Sequence, residues 1–404
     1  MRLQLTVVFF LSFTALFAQQ GAPDSLSTGK RKLDRTEVDF LFSYYHQEGN
    51  NSAVTGGTGT EKLSDYASII VVNVPVRSNH NVEVDFGTSY YTSASSDNIN
   101  PYTVSSASSD NLVFKLDVTS SFTDTVNRST SGFKVGVTHQ NNFGGIRAGG
   151  FYSKQSRDKN RELKVQGSVN LDKWALYYSI SKLYPVELKN QGNLVDTDKR
   201  YSYNFSLAYK QILTKRLQLQ LAGEMIYQTG LLSTPFHRVY FVEQDQPKLE
   251  KLPAHRLRFP LTLRMNYFIF DRLIIRSLYR FYDDDFGLQA HTINLELPFK
   301  VTNFFSPYPF YNYHTQTAAR YFQRYKEHTL NETYYTSDYD LSSLSSYEIG
   351  GGIYYAPVYN IVTFKRHKKK RGIALRKWEL RYAYYRRSTG LYANIVSTHF
   401  GFTF

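Results

Sequence analysis

Clustered oxygen-donor side chains recur in the first third of this chain. The hexapeptide SASSDN occurs at residues 93–98 and again at 106–111, so Asp97 and Asp110 bracket one short segment. Carboxylate and hydroxyl oxygens in such a cluster suit Ca²⁺ or sugar hydroxyls. Ser, Asp and Asn also satisfy backbone groups in turns, and this simpler interpretation is favoured. We therefore predict no resident cofactor, with Ca²⁺ at these loops as the alternative.

A second group of chemically capable residues lies in the middle of the chain. His237 occurs in GLLSTPFHRVYF, and three consecutive carboxylates, Asp283, Asp284 and Asp285, occur in YDDDFG. Histidine together with carboxylates would suit a hydrolase. However, the chain has no G-x-S-x-G, H-E-x-x-H or P-loop motif, and an acidic turn with a lone histidine is usually solvated surface. The sequence leaves catalysis undecided and favours a protein that is not an enzyme.

Composition restricts the classes of protein to which the chain can belong. Among its 404 residues there is no cysteine, which excludes a disulfide scaffold and a thiolate metal site. Aromatic residues make up 16%, with 34 Tyr and 29 Phe but only 2 Trp. The mean hydropathy is nevertheless negative, at -0.42. The chain is thus rich in aromatic rings without being apolar on average.

The N-terminus has the pattern of a secretory signal peptide. Residues 1–18 combine Arg2, an apolar run and Ala18, which predicts export with cleavage after Ala18. Residues 19–35 then form a polar lead-in, and residues 36–404 form the main domain. Removal of Arg2 lowers the formal charge from +14 to +13. In an exported protein this excess predicts contact with anionic surfaces, and we expect no nucleic-acid partner.

Segments of about ten to fourteen residues alternate apolar and polar side chains, as transmembrane β-strands do. In LIIRSLYRFY, for example, Ile275 and Tyr279 share one face while Arg276 and Arg280 share the other. No run of about 18 apolar residues follows the signal peptide, so transmembrane helices are not expected. The predicted strands are residues 36–47, 64–76, 79–93, 111–123, 131–141, 145–157, 160–179, 200–213, 216–230, 255–269, 272–284, 288–301, 306–320, 346–358, 376–388 and 391–404.

The connections between these segments alternate in length. Tight turns such as RSN, TKR and DR alternate with long segments such as 47–63, 231–254 and 321–345. Short periplasmic turns with long external loops are the geometry of an outer-membrane barrel. A soluble β-sandwich or β-helix would alternate too, but would have no reason to place aromatic residues at strand ends. We predict an all-β, transmembrane antiparallel up-and-down β-barrel of about 16 strands, with 14 or 18 as alternatives, in the outer membrane of a Gram-negative bacterium.

The face of the strands opposite the apolar face carries charges of both signs. Such side chains either line a water-filled pore or pair with one another in a polar filling, and the sequence does not choose between these. The residues predicted to face the lumen are Glu83, Asp85, Arg264, Arg276, Arg280, Glu296, Lys300, Glu379 and Arg381.

One basic run, FKRHKKKRGIALRK at 364–377, contains eight Lys or Arg and no acid. The predicted topology places it on the periplasmic side, where it would bind an acidic protein partner or phospholipid head groups. A solvated hairpin is equally favoured, and a shifted strand order would bring the run to lipopolysaccharide phosphates instead. The predicted basic patch comprises Lys365, Arg366, Lys368, Lys369, Lys370 and Arg371.

The last segment, VSTHFGFTF, places Phe400, Phe402 and Phe404 at every second position. A final strand with alternating aromatics suits recognition by the barrel-assembly machinery and pairing with the first strand to close the sheet. We therefore interpret these three phenylalanines as an assembly signal.

Several stretches resemble a bacterial family known only as a domain of unknown function. They are NNSAVTGGTGTEKLSDYAS, YYTSASSDNI, VSSASSDN, GLLSTPFHRVYF and LRYAYYRRSTGLYANIVS. The family looks like a set of outer-membrane barrels, so the resemblance implies that architecture and location. It brings no activity or catalytic residue. Genes for flavin-transfer and thioredoxin-like proteins near family members imply a redox-linked periplasmic partner.

Three functions follow from these patterns. The first is a channel or transport pore for small polar solutes. The second is a closed anchoring or scaffold barrel in a redox-linked or export assembly. The third is a rim-active outer-membrane hydrolase.

Overall fold

The computed structural model describes residues 35–93, 110–140, 143–177, 194–234, 237–364 and 372–404. The predicted signal peptide and nearly all of the lead-in lie outside these ranges and stay predictions. Nearly all of the regular secondary structure described is β-strand. Its strands are β1 Glu37–Glu48, β2 Leu63–Arg77, β3 His80–Ser93, β4 Asp110–Asp124, β5 Ser129–Gln140, β6 Phe143–Gln155, β7 Arg161–Tyr177, β8 Leu194–Thr214, β9 Leu217–Gly230, β10 Arg238–Val239, β11 Lys248–Leu249, β12 His255–Phe268, β13 Ile274–Asp284, β14 Gln289–Glu296, β15 Phe305–Gln316, β16 Leu344–Tyr355, β17 Val362–Phe364, β18 Ile373–Arg387 and β19 Tyr392–Thr403.

Sixteen of these strands form one closed antiparallel barrel, which confirms the predicted fold. Each of the sixteen pairs with the next of them along the chain. The short strand β17 adds a three-residue pairing to β18, and β10 and β11 form a separate two-stranded sheet. Closure occurs between the first and last strands, where Phe40 of β1 lies opposite Phe400 of β19 on one side and Ile70 of β2 on the other. The ring therefore leaves no strand edge unpaired between β1 and β19.

The alternation seen in the sequence separates two faces of the barrel wall. Tyr44, Tyr66 and Tyr90 lie side by side on β1, β2 and β3, pointing outward at the same height. The rings of Tyr44 and Tyr66 are 5.0 Å apart. On the opposite face Asp117 of β4 is only 1% exposed. Aromatic residues thus form a row on the outside, and carboxylates are enclosed inside.

Two turns of two residues lie at one end of the barrel, and the longest described loops lie at the other end. The connections at 78–79 and 215–216 are two-residue turns, whereas 49–62, 231–254 and 317–343 are long loops. The described chain ends meet at the turn end, where the Phe404 amide donates to the Thr36 carbonyl. Two three-residue 3-10 turns are the described helices, and neither has the length or apolar character needed to cross a membrane.

Strand β14 is shorter than predicted. It ends at Glu296 rather than at residue 301, because Pro298 has no amide hydrogen with which to continue the ladder. Backbone pairing resumes at Phe299, whose amide donates to the Pro307 carbonyl. Lys300, predicted to face the lumen, consequently lies in the connection beyond the strand end.

Three of the long loops fold together into a structure that we call the loop cap, namely the described parts of 49–62, 231–254 and 317–343. Backbone hydrogen bonds join the last two loops, since the Lys251 and Tyr335 amides each donate to the other residue's carbonyl. Buried apolar side chains reinforce this contact: Leu232 and Ala319 pack with Phe286 from the turn between β13 and β14. The loop cap is therefore a small folded unit at the loop end of the barrel.

Candidate functional site: the barrel interior and the loop cap

The interior wall of β3 to β6 is organised around one carboxylate. Asp117 accepts from the Arg147 guanidinium at 2.7 Å, and the ammonium groups of Lys115 and Lys134 are each 3.3 Å from it. Lys134 also lies 3.4 Å from Asp85, one of the predicted lumen residues. Glu83 lies two residues before Asp85 on the same face of β3. Opposite charges on neighbouring strands therefore balance each other along this wall.

The wall of β12 and β13 is richer in arginine than in acid. Arg276 pairs with Glu296 of β14 at 2.7 Å, and Arg280 lies 4.0 Å from Glu224 of β9. Among the described residues, no carboxylate lies within 4.0 Å of Arg264. The side chains of Arg276 and Arg280 are 26% and 28% exposed, so they face both protein groups and the space inside the barrel.

A third wall segment, from β15 to β19, is densely packed. The Tyr308 hydroxyl donates to Glu379, and Arg381 lies 3.6 Å above the ring of Phe310. Next to this cluster, His399 and Asp39 join the last and first strands at 2.8 Å. Glu379 and Arg381 thus belong to a network of aromatic and charged groups inside the barrel.

The three carboxylates of the acidic turn have different surroundings. Asp284 is buried, where it accepts from Arg256 and from the Tyr282 hydroxyl. Asp283 accepts from the side-chain amide of Gln289 at 3.0 Å, and Asp285 is exposed. The interpretation of this turn as solvated surface is therefore wrong for Asp284. Asp97 lies outside the described residues, and Asp110 begins β4 with its side chain likewise outside the description.

His237 is also buried, contrary to its interpretation as solvated surface. It is 1% exposed, and its Nδ1 atom lies 3.5 Å from Glu250 Oε1 and 3.7 Å from Asp338 Oδ2. Glu250 and Asp338 are themselves only 6% and 7% exposed. His237 and Glu250 come from the 231–254 loop and Asp338 from the 317–343 loop, so the cluster joins the two loops of the cap.

Neutral groups of the same loops hold the two carboxylates in place. Glu250 accepts from the Thr336 hydroxyl and, at 2.6 Å, from the Thr234 amide. Asp338 accepts from the Asp340 amide at 2.9 Å. Burial would raise the pKa of Glu250, but the adjacent His237 and these hydrogen bonds hold that pKa below its ordinary value. Glu250 is therefore a carboxylate at neutral pH.

The sequence indicated only one member of this cluster. His237 stood out because it follows a strand end in a distinctive segment. Glu250 and Asp338 had no such signal, since each is an ordinary acidic residue in a polar loop and lies far from the other in sequence. Only the packing of one loop against the other brings them to His237.

Another buried carboxylate, Glu61, connects the cap to the barrel mouth. Burial raises the pKa of Glu61 to about 7, although Arg387 opposes this effect. Arg387 of β18 binds Asp340 at 2.7 Å, and Gln316 of β15 donates to the carbonyls of Asp340 and Ser342 at 2.8 Å. Arg387 and Gln316 project from the inward face of their strands. Residues 340–342 therefore lie over the barrel interior.

The three phenylalanines of the predicted assembly signal lie at the turn end. Phe400 stacks on Phe40 with ring centroids 6.5 Å apart, while Phe402 and Phe404 continue the same outward face. The predicted basic patch at 365–371 lies outside the described residues. Its flanking residues Phe364 and Ile373 pair with each other across β17 and β18.

Comparison with known proteins now adds to this geometry. A family model described as protein of unknown function (DUF3570) matches residues 22–390. The chain belongs to the DUF3570 family. This membership confirms the resemblance found in the sequence, and it assigns no activity to DUF3570 proteins. A search of curated proteins finds no match.

Solved structures similar to this DUF3570 chain are outer-membrane barrels of low identity. A bacterial polysaccharide outer membrane secretin is 10% identical with a TM-score of 0.44, covering 91% of this chain and 98% of its own. The siderophore receptor PirA from Pseudomonas aeruginosa is 10% identical with a TM-score of 0.43, covering 92% and 81%. CdiB from Acinetobacter baumannii is 10% identical with a TM-score of 0.46, covering 92% and 60%. At these values the likeness concerns the barrel fold alone.

Proposed function

We propose that this protein is an outer-membrane channel for small polar solutes, with a preference for anions. Its location is supported by the outward face, where large apolar side chains such as Phe114, Val135 and Leu261 are exposed. Exposure of so many apolar side chains on one continuous surface would be unfavourable in water and favourable in lipid.

The observation that carries the channel proposal is the partial exposure of charged side chains inside the barrel. Glu224, Lys134 and Arg280 have side-chain exposures of 38%, 32% and 28%, although all three point away from the lipid face. A tightly filled interior would bury such groups completely. A barrel of sixteen strands is also wide enough for an aqueous channel. These exposures support a wet space along the β4 to β13 side of the lumen.

The preference for anions follows from the wall of β12 and β13. Its inward side chains include Arg258, Arg264, Arg276 and Arg280, whereas Asp284 is the inward carboxylate of the same two strands. Neighbouring strands contribute Glu224 and Glu296, which leaves the wall with more positive than negative charge. A low-dielectric pore wall concentrates counter-ions of the opposite sign.

Planar-bilayer recording tests this proposal directly. Purified full-length protein is added to a bilayer under a KCl gradient, and single-channel conductance and reversal potential are measured. We expect discrete openings and a reversal potential displaced toward that of chloride. Replacing Arg264 and Arg280 by Gln should shift the reversal potential toward that of potassium, whereas Arg272→Gln in an exposed turn should leave it unchanged.

Two results would contradict the proposal at different levels. An absence of openings at all voltages, from protein that is folded by circular dichroism, would exclude a channel and favour the closed anchoring barrel. Openings without any response of the reversal potential to the arginine substitutions would retain the channel and exclude the anion preference.

A further inference from the structure

We propose that His237, Glu250 and Asp338 form a binding site for a divalent transition-metal ion, with Zn²⁺ as the best-fitting ion, which joins two loops of the cap. This site is separate from the lumen wall to which the channel proposal refers. It uses three side chains from the described residues, each more than nine-tenths buried.

The two distances from His237 to the carboxylates are close to those between neighbouring metal ligands. His237 Nδ1 lies 3.5 Å from Glu250 Oε1 and 3.7 Å from Asp338 Oδ2. Ligands about 2.0–2.2 Å from a tetrahedral ion are separated from one another by roughly 3.3–3.6 Å. All three ligand atoms lie within 4.8 Å of one another, so small side-chain movements would close the site on an ion.

The donor set selects the class of ion. Two buried carboxylates and one imidazole nitrogen supply two negative charges and three donor atoms, which suit a divalent cation. Ca²⁺ and Mg²⁺ prefer oxygen ligands alone, whereas an imidazole nitrogen favours Zn²⁺ and its neighbours in the transition series. The predicted Ca²⁺ site uses other residues, Asp97 and Asp110, and a different chemistry.

Supporting hydrogen bonds orient the carboxylates as they do in metal sites generally. The Thr336 hydroxyl donates to Glu250 Oε1, which is the oxygen nearest His237. The Thr234 amide donates to the other oxygen of Glu250. Asp338 accepts from the Asp340 amide through Oδ1, which leaves Oδ2 directed toward His237. Both carboxylates are thus held in orientation by hydrogen bonds from the same two loops.

An ion at this position would link distant parts of the chain. Asp338 is two residues from Asp340, whose side chain binds Arg387 at the barrel mouth. His237 and Glu250 belong to the 231–254 loop. The ion would therefore hold the two loops together next to residues 340–342, which lie over the lumen.

Metal binding by the full-length protein tests the inference. Tag-free protein in detergent is stripped with chelator, incubated with Zn²⁺, passed through a desalting column and measured for bound metal. We expect one Zn²⁺ per chain, and a Co²⁺ form with the visible absorption of a tetrahedral site. Glu250→Gln and Asp338→Asn should each lower the affinity for Zn²⁺ more than about tenfold, and Thr336→Val should lower it about 10–100-fold.

Matched controls separate loss of a ligand from loss of the fold. His255→Gln changes an exposed histidine at the start of β12 and should retain full binding. His328→Gln changes a fully buried cap histidine whose two ring nitrogens already contact Glu332 and the Thr336 carbonyl. This substitution should lower thermal stability, but the folded variant should still bind one Zn²⁺ per chain.

Three outcomes would overturn the inference. One is the absence of stoichiometric Zn²⁺ in folded wild-type protein. Another is equal binding by wild type and by both carboxylate variants. The third is binding of Ca²⁺ in preference to Zn²⁺. None of them depends on channel activity, so these measurements test the metal site independently of the channel proposal.

Discussion

At the scale of single residues, burial of a carboxyl group makes the cap sensitive to pH. Glu61 is 4% exposed and faces Arg387 of β18, Asp338 and Asp340 of the 317–343 loop, and the Asn51 amide of its own loop. Burial dominates this balance and raises the pKa of Glu61 to about 7 from its ordinary 4.5. Ionisation of Glu61 therefore opposes the folded cap.

The direction of the pH effect follows from this shift. Below about pH 4.5 Glu61 is protonated in both folded and unfolded chains and has no effect. Between 4.5 and 7 the unfolded chain ionises first, so stability falls as pH rises, and above 7 the loss is complete at about 3 kcal/mol. Glu61→Gln should accordingly raise the thermal midpoint at pH 8 and leave it unchanged at pH 4.

Thermal melting in detergent at the two pH values measures this difference. Asp245→Asn, which changes an exposed carboxylate paired with Lys326, serves as the control and should behave as wild type at both. Equal midpoints for Glu61→Gln and wild type at pH 8 would show that the ionised carboxylate is accommodated without cost.

Single residues also mark the limit of what sequence can predict. Alternation identified the inward face of Arg276 and Glu379 because a strand places every second side chain on one side. The burial of His237 and Asp284 could not be foreseen, since it depends on loops that fold over them. Glu250 and Asp338 carried no local signal at all, because their proximity arises only from tertiary contact.

At the scale of elements, the sixteen barrel strands were predictable because each repeats the same two-residue period. The end of β14 was not, because Pro298 interrupts hydrogen bonding without interrupting the apolar pattern. The loop cap was not predictable either. Its loops have no period, and their association depends on scattered buried residues such as Leu232 and Phe286.

Within strand β16 the triplet Gly350, Gly351 and Gly352 provides a matched test of interior packing. A Cβ atom on Gly352 would lie 2.4 Å from the Tyr308 ring, and one on Gly350 would lie 2.5 Å from the Phe310 ring. A Cβ atom on the intervening Gly351 would meet its nearest atom, the Tyr308 carbonyl oxygen, at 3.4 Å. The two aromatic rings therefore contact the inward Gly350 and Gly352 and not Gly351.

Alanine at the inward positions should disrupt this packing. Gly352→Ala displaces Tyr308 from its bond to Glu379 and should destabilise the barrel by about 1–3 kcal/mol, because overpacked interiors force side chains off their rotamers. Gly351→Ala should be neutral or slightly stabilising, since alanine restricts the unfolded chain. The temperature at which the folded band converts to the unfolded band on gel electrophoresis compares the stability of the two variants. Equal temperatures would contradict the packing argument.

At the scale of the whole molecule, the barrel and its cap have opposed effects on passage through the lumen. Partially exposed Glu224 and Lys134 indicate space along one side of the interior. Residues 340–342, held by Gln316 and Arg387, extend over the same interior from the loop end. A solute entering from that end would have to pass the cap, so the cap should restrict the conductance of the proposed channel.

Shortening the 317–343 loop tests this restriction. Replacing residues 319–341 by a short Gly-Ser linker removes the Asp340–Arg387 and Asp340–Gln316 contacts while leaving β15 and β16 paired in their existing register. We expect a larger single-channel conductance and fewer closures, because the lumen loses the segment that lies over it. Lys326→Gln, on the exposed side of the same loop, should leave both unchanged. Unaltered conductance in the shortened protein would contradict this restriction by the cap. It would mean that the narrowest part of the path lies below the cap, beside the packed wall segment from β15 to β19 that contains Tyr308 and Arg381.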